Sequence, residues 1–317
     1  MVVGLEDIYD EFNAGIAEPA AIRTFLGHAT SRWSTPPRHV ALVGRGTWDY
    51  RNLRGFGDNL VPTLLVDSPD GLVASDVAYA DLAGNDGIPE VAIGRLPVLT
   101  AQELLDYVAK IQAHESAASG EWQRRVLLTA DNADAAGNFP ADSESVAALL
   151  PTDYTAGRVH LDTTTAEAGR QAILQAVNDG VVAFNYIGHG GFDRLADENL
   201  FTSADVASLN NAGRLPVFLA MTCSVGDFAQ PGYPSLGEAM LLRKEGGAFA
   251  VWAPSGLSQN SPAVLLDRSF FRGAFVDKEK VVGDLVVRGI RELDTPGSQY
   301  MRYMYNLLGE PVSRLPD

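Results

Sequence analysis

Short runs of almost unbroken apolar residues recur along this chain, with amphipathic stretches between them. Val126-Leu-Leu-Thr-Ala130, Val181-Val-Ala-Phe-Asn-Tyr-Ile187, Leu215-Pro-Val-Phe-Leu-Ala-Met221 and Ala248-Phe-Ala-Val-Trp-Ala253 are each about as long as a strand. None alternates cleanly between apolar and polar, so each needs cover on both faces. Helical patterns fall between and after them at 142–150, 165–177, 202–209, 235–244 and 263–275. This succession predicts a three-layer α/β/α sandwich around a mostly parallel sheet. Upstream, residues 19–28 read as a helix with Pro19 in its first turn. Residues 39–44, 62–66 and 91–94 read as short strands, and 67–90, rich in Asp, Gly and Pro, as loop. Thr100-Ala-Gln-Glu103 is a capping box that opens a helix over 103–114. The polar stretch 115–121 is the best joint, which divides the chain into two associated subdomains, 1–119 and 120–317.

In sheets of this kind, ligands gather at the carboxyl ends of the strands. Three of the runs end there in chemically useful residues. Asp131 follows the first, Gly188-His189-Gly190-Gly191 the second, and Thr222-Cys223-Ser224 the third. Cys223 is the single cysteine of the 317 residues, so no internal disulfide and no multi-cysteine zinc site explains it. A nearby imidazole can take the thiol proton, and the thiolate is the attacking species. Gly190 leaves its backbone N–H free to meet a developing oxyanion together with the Cys223 N–H. The pattern is that of a cysteine hydrolase. His189 precedes Cys223 by 34 residues. That order excludes papain-like enzymes, in which Cys comes first, and agrees with caspase-like ones.

The block Asn185-Tyr-Ile-Gly-His189-Gly-Gly191, with Thr222-Cys-Ser-Val-Gly-Asp-Phe228, resembles the catalytic core of the gingipain family, peptidase family C25 of the caspase-like cysteine peptidases. The likeness continues in Asp49-Tyr-Arg-Asn52, Ser75 to Asp86, Pro89 to Pro97 and Leu308-Gly-Glu-Pro311. It implies a caspase-like fold and a cysteine endopeptidase that works through an acyl-enzyme. It further implies His189 as general base and acid, Cys223 as nucleophile, and the Gly190 and Cys223 N–H groups as the oxyanion site. A carboxylate that orients the imidazole is implied at Asp131, where the family has Glu. An acidic P1 pocket is implied in the stretch 132–143, with Asp134 and Asp142 as candidates. Its wall is implied at 254–262, with Ser255 and Gln259 as substrate-binding candidates. Two alternatives stay open: a sortase-like transpeptidase that passes the acyl group to an amine, and a catalytically degenerate binding module.

The formal net charge of −16 argues against nucleic acid and anionic membranes as partners and suits cationic substrates. No apolar run approaches the ~20 residues that span a bilayer. Met1-Val-Val-Gly-Leu-Glu-Asp7 carries neither a basic nor a strongly apolar region, so no signal peptide is expected in this sequence. No cofactor is required by the chemistry. The acidic segment from Asp76 to Asp86 could hold a structural calcium through those two residues, although such segments are more often polar turns. Neither H-E-x-x-H nor G-x-S-x-G occurs, which leaves no zinc peptidase motif and no serine elbow. Val43-Gly-Arg-Gly46 lacks the third glycine of a dinucleotide loop. The resemblance places such a protein outside a bacterial cell or on its surface, as part of a larger multidomain chain.

Overall fold

The computed structural model describes residues 1–316; the last residue of the second expected subdomain, Asp317, lies outside them. The strands are β1 (His39–Val43), β2 (Leu64–Ser68), β3 (Gly71–Ser75), β4 (Ala92–Leu96), β5 (Arg125–Ala130), β6 (Thr155–His160), β7 (Ala183–Ile187), β8 (Gly190–Gly191), β9 (Arg194–Leu195), β10 (Phe201–Thr202), β11 (Val217–Met221), β12 (Ala250–Pro254) and β13 (Tyr305–Leu308). The helices are α1 (Leu5–Asn13), α2 (Pro19–Arg32), α3 (Val77–Ala80), α4 (Ala101–Glu115), α5 (Phe139–Ala147), α6 (Ala166–Asp179), α7 (Leu236–Leu242), α8 (Asn260–Phe271), α9 (Val282–Glu292) and α10 (Tyr300–Met304). Eight strands form one sheet in the order β1-β4-β13-β12-β11-β7-β5-β6. Every pairing in it is parallel except β12 with β13. This is the mostly parallel, helix-flanked α/β sheet that the apolar runs predict. β7, β11 and β12 are buried at every position, which explains why their sequences do not alternate.

The expected joint at 115–121 falls between α4 and β5. Around it the sheet is continuous, because β13, from the end of the chain, lies between β4 and β12. Val73, Leu96, Tyr107 and Ile111 from the first 119 residues belong to the same buried cluster as the central strands. A smaller cluster around Ile22, Leu26, Leu42 and Tyr79 fills the space beneath α2.

Buried ions fasten the first part of the chain to the second. Arg95 is fully buried and clasps both oxygens of Asp76, at 2.7 and 2.6 Å. It also donates to the Gly44 and Val61 carbonyls and lies over the ring of Phe228, 4.5 Å from its centre. Arg45, remote in sequence from the catalytic blocks, is buried between Asp58 and Glu238 and donates to the Gln230 and Tyr233 carbonyls. Lys110, buried on α4, donates to the carbonyls of Leu241, Arg243, Gly246 and Ala248 and so closes the carboxyl end of α7.

Some expectations need correction. Residues 67–90 are not all loop: they contain β3 and the short α3, whose apolar residues Val73, Ala74, Val77 and Ala78 are hidden among Asp and Gly. Residues 202–209 form no α-helix but the end of β10 and a 3₁₀ turn, Asp205–Ser208. The pattern does not anticipate β6, α9 or β13. The calcium site at Asp76 and Asp86 does not fit the residues present. The Arg95 guanidinium already neutralises Asp76, and Asp86 is exposed, with one carboxylate oxygen accepting the Ile88 N–H. Among the described residues, no group of three or more His, Cys, Asp or Glu is arranged to hold a metal ion.

One buried acid makes the fold sensitive to pH. Asp267 of α8 is fully buried, and burial pushes its carboxyl up to about 8. It accepts both oxygens' bonds from Asn185 Nδ2 at 2.8 Å, while Asn185 Oδ1 has no partner. The folded state therefore binds the carboxyl proton more tightly than the unfolded chain does. The contribution is complete below pH ~4 and is lost as pH rises through about 8. Asp267→Asn keeps one oxygen to accept from Asn185 Nδ2 and removes the ionisation. Its melting temperature should exceed that of the unaltered protein by several degrees at pH 8, and the gap should shrink toward pH 5 in thermal scans.

Candidate active site

β7 and β11 are adjacent parallel strands in register, with Ile187 beside Met221. His189 and Cys223 each follow by two residues, so they leave the same rim of the sheet on neighbouring strands, which lie ~4.8 Å apart. The two exits are also in contact. The Gly188 N–H donates to the Met221 carbonyl at 3.3 Å, and Gly190 packs on the Thr222 side chain so closely that a Cβ would collide with it. At Gly188, φ is +157° and a Cβ would overlap Asp131. Glycine is required at both positions for close approach.

After Cys223 the chain turns sharply. Ser224 has φ +54°, an uncommon left-handed conformation for a residue with a side chain, and its N–H donates to the Gly256 carbonyl. The Cys223 thiol sits against the segment after β12: the Ser258 N–H points to Sγ at 3.3 Å and the Ser258 carbonyl lies 3.8 Å away. Burial pushes the thiol up; the Ser258 N–H opposes this, and the charge of Asp70 adds to it. Tyr305 OH hydrogen-bonds Ser258 Oγ at 2.8 Å behind the segment.

His189 is part-exposed. Its Nε2 lies 2.8 Å from Asp134 Oδ2, and its ring meets Phe139 edge-on, with centres 5.3 Å apart. The hydrogen bond from His189 holds the Asp134 carboxyl below its usual range. An ionised carboxylate only accepts, so Nε2 carries a proton and Nδ1 is the ring nitrogen with a free lone pair. The His189 carbonyl receives the Tyr186 hydroxyl and the Ala196 N–H. Because His189 bonds Ala196 across the β8–β9 hairpin, Gly190 falls at the next, non-hydrogen-bonded pair, opposite Leu195. Its N–H then points away from β9.

The carboxylates are assigned differently from the expectation. Asp131 does not meet the imidazole: its side chain accepts the His189 backbone N–H at 3.1 Å and its own neighbour's, Asn132, at 2.8 Å. Asp131 is buried directly at the end of β5, too close to the rim to reach the ring, and burial raises its carboxyl. Asp134, expected in a P1 pocket, is the residue on the ring. A turn closed by the Asp134 N–H to the Gly137 carbonyl carries it there. Asp142, in the first turn of α5, accepts from Asn260 Nδ2 at 2.8 Å. The Ser255 hydroxyl is turned inward, onto the Ala74 and Met304 carbonyls, and is not available to a substrate. Gln259 is exposed on the segment beside Cys223, with Oε1 receiving Ser298 Oγ. Burial raises the Tyr300 hydroxyl, and the charges of Asp70 and Cys223 add to it. No signal near the catalytic blocks points to this tyrosine, since it comes from the far end of the chain.

A profile of Peptidase family C25 matches residues 1–316. Gingipain R2 of Porphyromonas gingivalis is 28% identical over 181 residues, which cover 55% of this chain and 24% of that protein. Gingipain R1 of Porphyromonas gingivalis is also 28% identical over 181 residues, 55% of this chain and 18% of that protein. The chain thus spans about a quarter or less of these relatives' length. Among solved structures, the Arg-specific cysteine proteinase gingipain R superposes with a TM-score of 0.79 at 20% identity, covering 98% of this chain and 75% of that one. The separase–securin complex of Saccharomyces cerevisiae matches with a TM-score of 0.51 at 14% identity, over 70% of this chain and 14% of that one.

The raised thiol has a consequence for reactivity. Burial raises the Cys223 thiol above an ordinary cysteine, so alkylation by iodoacetamide should keep accelerating as pH rises through the range in which a free cysteine levels off. Mass spectrometry of the labelled protein across pH 5 to 10 checks this. A plateau already reached by pH 6 would mean a preformed thiolate–imidazolium pair instead.

Proposed function

Because this chain belongs to peptidase family C25 and is a cysteine-type peptidase, we propose that it is an endopeptidase whose nucleophile is Cys223 and whose base is His189. The observation that carries the reading is the in-register pairing of β7 with β11, which brings the two residues out side by side. His189 Nδ1 takes the thiol proton as Sγ attacks the scissile carbonyl carbon. The carbonyl oxygen becomes an oxyanion that receives the Gly190 and Cys223 N–H groups. Collapse of this intermediate breaks the C–N bond, and the imidazolium gives its proton to the leaving amine. Water then attacks the thioester, with His189 again as base, and releases the acid.

Asp134 is a positioning residue in this scheme. It keeps the proton on Nε2, so that Nδ1 faces the reaction as a lone pair, and it stabilises the imidazolium. Asp131 holds the His189 backbone, not its ring. The raised thiol fits transfer to His189 on substrate binding better than a resting thiolate. Peptides or proteins are the substrates. The chain's charge of −16 and the acid Asp142 favour cationic ones. An extracellular or surface setting in a bacterium is part of the same reading, supported by kinship to proteins of Porphyromonas gingivalis. Among the described residues no helix is long and apolar enough to cross a membrane.

Four substitutions test the assignment in assays with fluorogenic peptides. Cys223→Ala and His189→Ala should each lower kcat/KM by at least ~10³-fold. Asp134→Asn should lower kcat by about ten- to a thousand-fold with little change in KM, because it alters the tautomer and not the binding surface. Asp131→Asn should do less to kcat than Asp134→Asn. The reverse ranking of the two aspartates would assign the orienting role to Asp131.

A further inference from the structure

A second feature lies on the β12 side of β11, the flank away from His189. A cavity of about 330 Å³ opens there, between the β2–β3 hairpin and the loop that follows the cysteine. Sheet order fixes the side: β7 with His189 lies on one edge of β11, and β12 and β13 lie on the other. The cavity belongs to the second edge. Ser255, at its wall, directly follows β12 and is tied to Ala74 of β3, whose carbonyl also receives Asn306 of β13. Val73 packs against Gly256, the residue whose carbonyl anchors Ser224. Asp70, at the hairpin tip, lies close enough for its charge to act on Cys223. The cavity therefore lies beside the turn that follows Cys223, on the β12 side of β11.

Its chemistry is apolar. Trp48, Leu65, Leu72, Val73, Ala74 and Ala229 supply the hydrocarbon wall. The polar groups in the lining are already engaged among themselves. Asp227 accepts from the Ala229 N–H and from Gln230 Nε2, Gln230 Oε1 accepts from Trp48 Nε1, and Ser255 is spent on Ala74. The hydrocarbon wall is what distinguishes the cavity, since its polar groups are held by one another. Leu72 is 63% exposed on the rim, an open apolar surface beside a reactive centre.

The direction of a bound peptide follows from the chemistry of the step. His189 must reach the leaving nitrogen, so the leaving segment departs on the His189 side. The acyl segment, N-terminal to the scissile bond, then runs to the opposite side, past Ser258 toward the cavity. We propose that this cavity is an acyl-side substrate subsite that takes an aliphatic or aromatic side chain N-terminal to P1, separate from whatever pocket holds P1. The inference rests on the Cys223–His189 reading for its direction.

The test uses N-acetylated hexapeptides, with Arg, Lys or Ala at P1, in which one position at a time is Gly, Asp, Leu or Phe. Binding to Cys223→Ala protein is measured by calorimetry, and cleavage by the unaltered protein is followed in parallel. At one acyl-side position, Leu or Phe should bind roughly ten-fold or more tightly than Gly, and Asp no better than Gly. Leu72→Asp, at an exposed hairpin position, and Trp48→Ala should each remove most of that advantage and leave the Gly peptide's affinity unchanged. Equal affinities at every acyl-side position, a preference confined to the leaving side, a preference untouched by both variants, or no binding by any peptide would each overturn the subsite. Cleavage without the preference overturns the subsite and leaves the peptidase reading standing. Apolar preference in binding, lost in both variants, with no cleavage by the unaltered protein, supports the cavity as a side-chain site and overturns the peptidase reading together with the acyl-side assignment.

Discussion

The parallel pairing of β7 with β11 is the constraint on which the rest of the site depends. Parallel strands in register end together, so whatever follows them emerges at one rim. Here a histidine and a cysteine each follow two residues after the last paired position. Both strands are buried on both faces, between the helical layers. The chemistry thus inherits its precision from hydrophobic packing some distance from the reacting atoms. Two glycines and a left-handed serine then bring the loops into contact, each in a conformation or a space that an ordinary side chain would not tolerate.

The two aspartates near His189 divide the work of holding it. Asp131 binds the backbone N–H and fixes where the residue starts, and Asp134 binds the ring and fixes its proton. Their environments differ accordingly. Asp131 is buried and its carboxyl is pushed up, whereas Asp134 is open to solvent and is held down by its hydrogen bond to the ring. A carboxylate that must stay ionised to orient an imidazole is better placed in the second setting. On the other side of the thiol, Arg95 and Arg45 tie the first part of the chain to the loop after Cys223 through Phe228, Gln230 and Tyr233. Those buried ions make the supporting strands and the reactive loop one body.

Much of the architecture was legible because burial dictates composition. The runs ending at Ala130, Ile187, Met221 and Ala253 could be read as central strands since no half-exposed strand is so apolar. From strand polarity alone, His189 and Cys223 could then be assigned to one rim. What escaped is what packing in three dimensions decides. β13 reads as an ordinary mixed segment, yet it closes the gap between β4 and β12. The exchange between Asp131 and Asp134 turns on a tight turn at 134–137, which no periodicity signals. Asp76 looked like a calcium ligand in a row of acids, but its counter-ion is an arginine 19 residues away. Ser255 looked exposed to substrate, and its hydroxyl faces inward onto a hairpin that the sequence hid in a loop.

The most direct measurement is a crystal structure of the protein inactivated by a peptidyl chloromethyl ketone. The account expects the inhibitor carbon bonded to Cys223 Sγ, its oxygen within hydrogen-bond distance of the Gly190 and Cys223 N–H groups, and His189 Nδ1 turned toward the sulfur with Nε2 still on Asp134. An adduct on another residue, or an oxygen pointing away from Gly190 with the imidazole on the far side of the thiol, would contradict it.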